Sequence, residues 1–241
     1  METVNILGVH VNKYTMEEAV NLASLFLDED GLSMIFTPNS EILLYASNNP
    51  EFSKVLNSAD MVIPDGIGVV YGAKILGNPL SERVAGYDLI CNLFPVMAKK
   101  GQSVYLLGAK PGVADTAAEN LVKKYPGLVI AGLHDGYFKE DEAVIEDINK
   151  ANPDLLLVCL GFPKQENWIY KNRERLNAKV AIGAGGCIDV FAGTVQRAPQ
   201  FYCDHGIEWL YRLAKQPSRF VRMLALPKFG LKVLFKGKSY K

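Results

Sequence analysis

Asp65 stands at the end of a short apolar run, Met61-Val-Ile-Pro-Asp-Gly-Ile-Gly-Val-Val70. Three apolar residues and a proline read as a buried strand that stops, and Gly66 and Gly68 allow a tight turn into the helix-like segment that follows. A carboxylate there sits at a strand's carboxyl end, the edge at which open α/β sheets bind ligands and do chemistry. The alternative use is structural, since an Asp-Gly pair also serves to cap the next helix through its carboxylate. Other strand ends in the chain carry the same polar or glycine-rich punctuation, and they favour the first use. Thr37-Pro-Asn39 follows the run Leu32 to Phe36, and Gly108 closes Ser103-Val-Tyr-Leu-Leu-Gly. His134-Asp135-Gly-Tyr137 follows Leu128 to Gly132, Gly161-Phe-Pro-Lys-Gln165 follows Asp154 to Leu160, and Gly185, Gly186 and Asp189 follow Lys179 to Gly183.

The elements that must hold these residues are legible from periodicity. Val4 to Val11 reads as a short hairpin or an edge strand about Gly8. Thr15 and Glu18 have capping-box spacing, and Ala19, Leu22, Ala23 and Phe26 recur at helical period behind them. Helices are expected near Ser40 to Ala46, Glu51 to Leu56, Val69 to Leu76, Asp88 to Lys100, Val113 to Tyr125 and Glu140 to Asn149. Regular strand–helix alternation implies an α/β fold, a Rossmann-like, doubly wound, mostly parallel sheet. Thr37, Asn39, Asp65, Gly108, Asp135, Gln165 and Asp189 would then line one edge of it.

Two nucleotide fingerprints fail. Gly66-x-Gly68-x-x-Tyr71 lacks the third glycine of a dinucleotide site and puts a bulky residue where close helix approach is wanted, which argues against a nicotinamide or flavin enzyme. The Ser103 to Gly112 unit offers backbone N–H groups suited to a phosphate at a helix start, but without the Gly-Lys-Ser/Thr ending of a Walker loop.

The 241 residues carry 26 basic and 26 acidic side chains, a balance that hides an asymmetry. Ile207 to Lys241 contains nine basic residues and one acidic residue, leaving 17 basic against 25 acidic before it. The chain therefore divides into an α/β body, residues 1–205, and a basic appendage, 206–241, whose partner is expected to be anionic. Arg212, Lys215, Arg219 and Arg222 fall on one face of a helical path, with Pro217 starting a second helix. Bulky aliphatic and aromatic residues alternate with Lys228, Lys232, Lys236 and Lys238. That composition suits a membrane-lying helix, or equally the solvated face of a terminal helix, and it suits nucleic acid poorly. No signal sequence or spanning stretch is visible, and the widely spaced Cys91, Cys159, Cys187 and Cys203 read as reduced, cytoplasmic thiols. Apolar surface on the tail could also be covered by self-association into a homo-oligomer.

Six segments in order carry a resemblance. They are Thr37-Pro-Asn39, Pro64-Asp-Gly66, Arg83-Val-Ala-Gly86, Gly161-Phe-Pro-Lys-Gln165 with Trp168, Ala192-Gly-Thr-Val-Gln-Arg-Ala-Pro199 and Gly206-Ile-Glu-Trp-Leu-Tyr-Arg212. Together they resemble the bacterial WecG/TagA/CpsF-type glycosyltransferases, over nearly the whole chain. The resemblance implies an inverting transfer of N-acetylmannosamine from a UDP-sugar to N-acetylglucosamine on undecaprenyl diphosphate, by a peripheral enzyme on the cytoplasmic face of the membrane. In that setting Asp65 is the expected base, with Thr37, Asn39 and Gln165 as neutral partners of sugar or phosphate oxygens and Arg83 as a cation for the diphosphate. Gly108, Asp135, Tyr137, Gly185 and Asp189 are the candidates for the nucleotide, and Arg212, Arg219 and Arg222 for the lipid-linked diphosphate. No metal and no cofactor are expected: the one Asp-x-Asp, Asp28 to Asp30, resembles a metal–nucleotide motif but precedes a strand, at the wrong edge of the sheet. Two other readings are a transferase of the corresponding uronate and a non-catalytic module that senses nucleotide-sugar at a membrane.

Overall fold

The computed structural model describes residues 2–215, 217 and 220–240. The chain opens with an antiparallel hairpin, β1 (Thr3–Ile6) and β2 (Val9–Asn12). Its two turn residues, Leu7 and Gly8, take φ of +54° and +94°, the left-handed pair whose twist matches that of the strands. Helix α1 (Met16–Phe26) starts on the capping box expected from the sequence, the Thr15 N–H donating to the Glu18 carboxylate at 2.8 Å.

The main sheet has six strands: β3 (Ser33–Phe36), β4 (Met61–Val62), β5 (Ser103–Gly108), β6 (Val129–His134), β7 (Leu155–Cys159) and β8 (Val180–Gly183). Their order is β4-β3-β8-β7-β5-β6, and every pairing is parallel. Apolar side chains leave the strands alternately, as the two-residue period requires. Met34, Phe36, Tyr105, Leu107 and Leu156 enter one core, packed by α2 (Ser40–Ala46), α3 (Pro50–Asn57), α4 (Ile67–Ile75), α7 (Asp141–Ala151) and α8 (Lys164–Asn172). Ile35, Val104, Leu106, Leu155 and Leu157 enter the other, packed by α1, α5 (Gly86–Lys100), α6 (Val113–Lys124) and α9 (Cys187–Phe191). Burial on both faces explains why β5, β7 and β8 read as continuous apolar runs.

Crossovers from β3, β6 and β7 step toward β4 over the first face. Those from β5 and, through α5, from β4 step toward β6 over the second, so all have one hand. Consequently the chain leaves β3 and β8 to opposite faces, and likewise β5 and β7. Such divergence opens a crevice at the carboxyl edge. Strand β4 is shorter than its apolar run: Ile63 still donates to Phe36 O at 3.0 Å, and Pro64, without an N–H, ends the pairing. Its outer edge is covered by Asn12, whose Oδ1 accepts from Val62 N at 2.7 Å.

After α10 (Gln200–Asp204) and α11 (Glu208–Lys215) come α12 (Phe220–Met223) and α13 (Ala225–Lys236). Ser218 and Arg219, where a helix begun at Pro217 would run, lie outside the described residues. Helix α13 lies on α2 and α4, and buries Phe229 and Val233 in the first core. Gly72 makes the approach possible, since a Cβ there would stand 3.0 Å from the Phe229 ring. Lys232 caps the end of α2, donating to Ser47 O at 3.1 Å and Asn48 Oδ1 at 2.7 Å. No helix among the described residues is long and apolar enough to cross a membrane.

Candidate active site

Three loops meet beyond the carboxyl ends of β3 and β4. Their backbones are tied together: Asp65 N donates to Pro38 O at 3.2 Å, and Val84 N to Pro64 O at 3.1 Å. These two bonds bring Asn39, Asp65 and Arg83 to one cavity, although 44 residues of sequence separate the first from the last. Asn39 is the N-cap of α2, its Oδ1 accepting from Glu41 N at 2.9 Å and Ile42 N at 3.1 Å, so its place is fixed by the helix it starts. Gly66 starts α4 at φ +97°, a value that lets the chain turn sharply behind the Asp65 carboxylate. Gly68 has no room for a side chain, because a Cβ would collide with Ser40 Oγ.

The cavity is completed from the far end of the chain by Arg197, Glu208, Trp209 and Arg222. Arg83 pairs with Glu208 at 3.2 Å and with Asp88 at 3.7 Å, and Arg197 holds Asp88 at 2.5 Å while lying over the Tyr87 ring. Arg222 approaches Glu41 at 3.6 Å. The side chains of Arg83 and Glu208 are each 15% exposed, which puts this pair in a medium where charges act more strongly than at the surface. Burial works against the charge on Arg197, but Asp88, by charge and hydrogen bond, more than offsets it and raises the guanidinium's pKa. Burial likewise pushes the Tyr87 phenol well up, so it stays neutral. The lining thus combines three carboxylates, Glu41, Asp65 and Glu208, with three guanidiniums, Arg83, Arg197 and Arg222. It is chemically suited to take a proton from a hydroxyl while cations hold a polyanion. Among the described residues no cluster of three metal-ligating side chains occurs.

The sequence-predicted residues divide. Asn39, Asp65, Arg83 and Arg222 line the cavity. Thr37 and Gln165 lie apart from its lining, under the adjoining turn: Thr37 Oγ1 donates to Gly183 O at 3.2 Å, and Gln165, 3% exposed, accepts from Gly185 N at 3.0 Å. Both amide ends of Gln165 are engaged, since its Nε2 donates to Glu166 at 2.9 Å. Gly108 and the Asp135–Tyr137 turn meet at the β5–β6 end of the edge, where Gly136 N donates to Ala109 O at 2.9 Å. There Asp135 accepts from Tyr137 N at 2.7 Å, and the Tyr137 side chain is exposed. Asp189 sits in the short helix α9, after the Gly185 turn. The side chain of Arg212 and all of Arg219 lie outside what the structure describes. Sequence reasoning missed Tyr87, Asp88, Arg197, Glu208 and Trp209 as site residues. Arg197, Glu208 and Trp209 stood inside two of the six segments noted, but nothing local in sequence tells that they fold against Arg83.

A six-stranded parallel sheet with charged loops at its carboxyl edge places the chain among the α/β proteins that bind ligands at that edge, and the comparisons give the family. The chain belongs to the glycosyl transferase WecG/TagA/CpsF family, whose model matches residues 4–241. It is 42% identical over 214 residues to an N-acetylglucosaminyldiphosphoundecaprenol N-acetyl-beta-D-mannosaminyltransferase of Bacillus spizizenii, covering 89% of this chain and 83% of that one. The protein of the same name in Bacillus subtilis is 38% identical over 242 residues, covering 100% and 94% of the two chains. A Staphylococcus aureus relative, also so named, is 36% identical over 233 residues, covering 95% and 91%.

Proposed function

We infer that this glycosyltransferase moves N-acetylmannosamine from UDP-N-acetylmannosamine to the N-acetylglucosamine of a GlcNAc-diphospho-undecaprenol acceptor, the lipid-linked intermediate of the wall teichoic acid linkage unit. The relatives' shared name, over most of both chains, supports the two substrates. The observation that carries the chemistry is Asp65 in one cavity with Arg83, Arg197 and Arg222.

In this reading the Asp65 carboxylate takes the proton of the acceptor hydroxyl as that oxygen bonds to the donor sugar's C1 from the face opposite UDP. The bond from C1 to the UDP oxygen breaks, its electron pair leaves with UDP, and the product is a β-1,4 linkage. Guanidiniums already in the cavity take up the charge of the diphosphates, with Asp88 keeping Arg83 and Arg197 aimed. The donor's nucleotide runs along the rest of the carboxyl edge, past Gly185 and Asp189 toward Gly108, Asp135 and Tyr137. Because cations of the protein carry the leaving-group charge, a chelator leaves the rate unchanged.

The appendage supplies the membrane side of the reaction. Phe220, Leu231, Leu234 and Phe235 are exposed, interleaved with Lys228 and Lys236, a composition that supports peripheral docking on the cytoplasmic leaflet. Docking would set Arg212, Arg219 and Arg222 at headgroup depth, where the acceptor's diphosphate lies.

The test is UDP release from UDP-N-acetylmannosamine with and without the lipid-linked acceptor. Acceptor-dependent release is expected in the wild type. Asp65→Asn should lower it by about a thousandfold or more while UDP still binds, since loss of the base leaves binding contacts in place. Release that Asp65→Asn does not diminish would overturn the assignment.

A further inference from the structure

Glu166 is the one acidic side chain among the described residues that is both buried, at 2% exposure, and next in sequence to an expected site residue. It stands in the first turn of α8, beside Gln165. Its Oε1 accepts from Gln165 Nε2 at 2.9 Å, and its Oε2 has no hydrogen-bond partner. Gln165 spends its other end on the turn after β8, where its Oε1 accepts from Gly185 N. That turn is gripped again by Thr37, which donates to Gly183 O. The fit is close: a Cβ on Gly183 would stand 3.1 Å from Gln165 Nε2, and one on Gly86 would stand 2.9 Å from Thr37.

An amide side chain reads the same from either end in shape but not in chemistry. Turned over, Gln165 would set its NH2 against the Gly185 N–H, donor against donor. What prevents this is an acceptor on the other side. We propose that Glu166 is a positioning residue for the transfer: it fixes the orientation of the Gln165 amide, and through it the Gly183–Gly186 turn at the crevice between β3 and β8. Burial raises the Glu166 carboxyl's pKa, and the groups that act on it are Gln165 and its own backbone N–H, with no cation among them.

The proposal rests on the transferase reading for its kinetic arm only. Four variants separate it from mere packing. Glu166→Met fills similar volume without an acceptor, and is expected to lower kcat by on the order of tenfold to a hundredfold and to raise KM for UDP-sugar as well, since the turn it loosens lies on the nucleotide's path. Glu166→Gln keeps a carbonyl acceptor, and is expected to stay within about threefold of wild type. Gln165→Glu sets two acceptors face to face and is expected to be strongly impaired. The exchange Gln165→Glu with Glu166→Gln restores one donor and a Gly185 acceptor, so it should recover activity beyond Gln165→Glu alone. Independently of turnover, the Gly185 amide resonance should lose its hydrogen-bonded shift in Glu166→Met and keep it in Glu166→Gln. If Glu166→Met retains both kcat and that shift, or if the exchange is worse than Gln165→Glu alone, the positioning role is overturned. An inactive wild type would sink the transferase reading and leave the resonance to decide this one.

Discussion

Arg197 works under two constraints at once, its guanidinium held edge-on by Asp88 and face-on by Tyr87. A lysine carries the same charge but neither the planar fork nor the flat face. Arg197→Lys is therefore expected to raise KM for the diphosphate substrate by about tenfold with a smaller change in kcat, measured by steady-state UDP release. A substitution with no effect on KM would remove Arg197 from the binding surface. Gly108 is constrained by backbone alone. Its φ is +136°, and a Cβ there would collide with the Cys159 carbonyl on the neighbouring strand. Gly108→Ala should destabilise the protein by about 3 kcal/mol or more, read as a drop in the denaturation midpoint.

At the scale of elements, the amino ends of three strands are joined by one carboxylate. Asp154, just before β7, accepts from Ser103 N at 2.7 Å at the start of β5 and pairs with Lys179 at 3.0 Å before β8. Burial pushes its pKa up, but the hydrogen bonds from Ser103 and Lys179 outweigh that and leave it below the usual carboxylate range. A pKa depressed by folding means that the carboxylate's stabilisation is complete above the unfolded value and is lost as pH falls through the folded one. Asp154→Ala should thus cost about 2 kcal/mol at neutral pH, and the gap to wild type should close under strong acid, followed by denaturant melts across pH. At the carboxyl edge the described ties are of another kind. Its loops are tied pairwise, by Asp65 to Pro38, Val84 to Pro64 and Gln165 to Gly185, so each can be tested alone.

For the molecule as a whole, the tail joins two kinds of surface. Phe229 and Val233 face inward and belong to the core, whereas Leu231, Leu234 and Phe235 face outward. The two sets should separate cleanly under substitution. Phe229→Ala is expected to cost about 3–5 kcal/mol of stability. Leu234→Asp with Phe235→Asp should leave stability within about 0.5 kcal/mol and abolish sedimentation with anionic vesicles. If the second pair sediments like wild type, the outward face is not the docking surface.

Much of this was legible in residue order. Alternation of apolar runs with capped amphipathic stretches fixes a parallel α/β sheet, because hydrophobic period and turn chemistry are local properties that any tertiary arrangement must respect. The same logic puts Asp65, Asn39 and Gln165 at the carboxyl edge, since each follows a strand. Which edge residues share a cavity is not local. It depends on strand order, and β3 and β4 lie at the opposite end of the sheet from β6. Arg197, Glu208 and Arg222 reach Arg83 because the chain after β8 returns over the β3–β4 end, a long-range packing choice set by the surface that α13 finds on α2 and α4. Sequence determined the residues available and the edge they occupy; only the tertiary structure decided the company they keep, because charge pairing and burial are properties of distance in space.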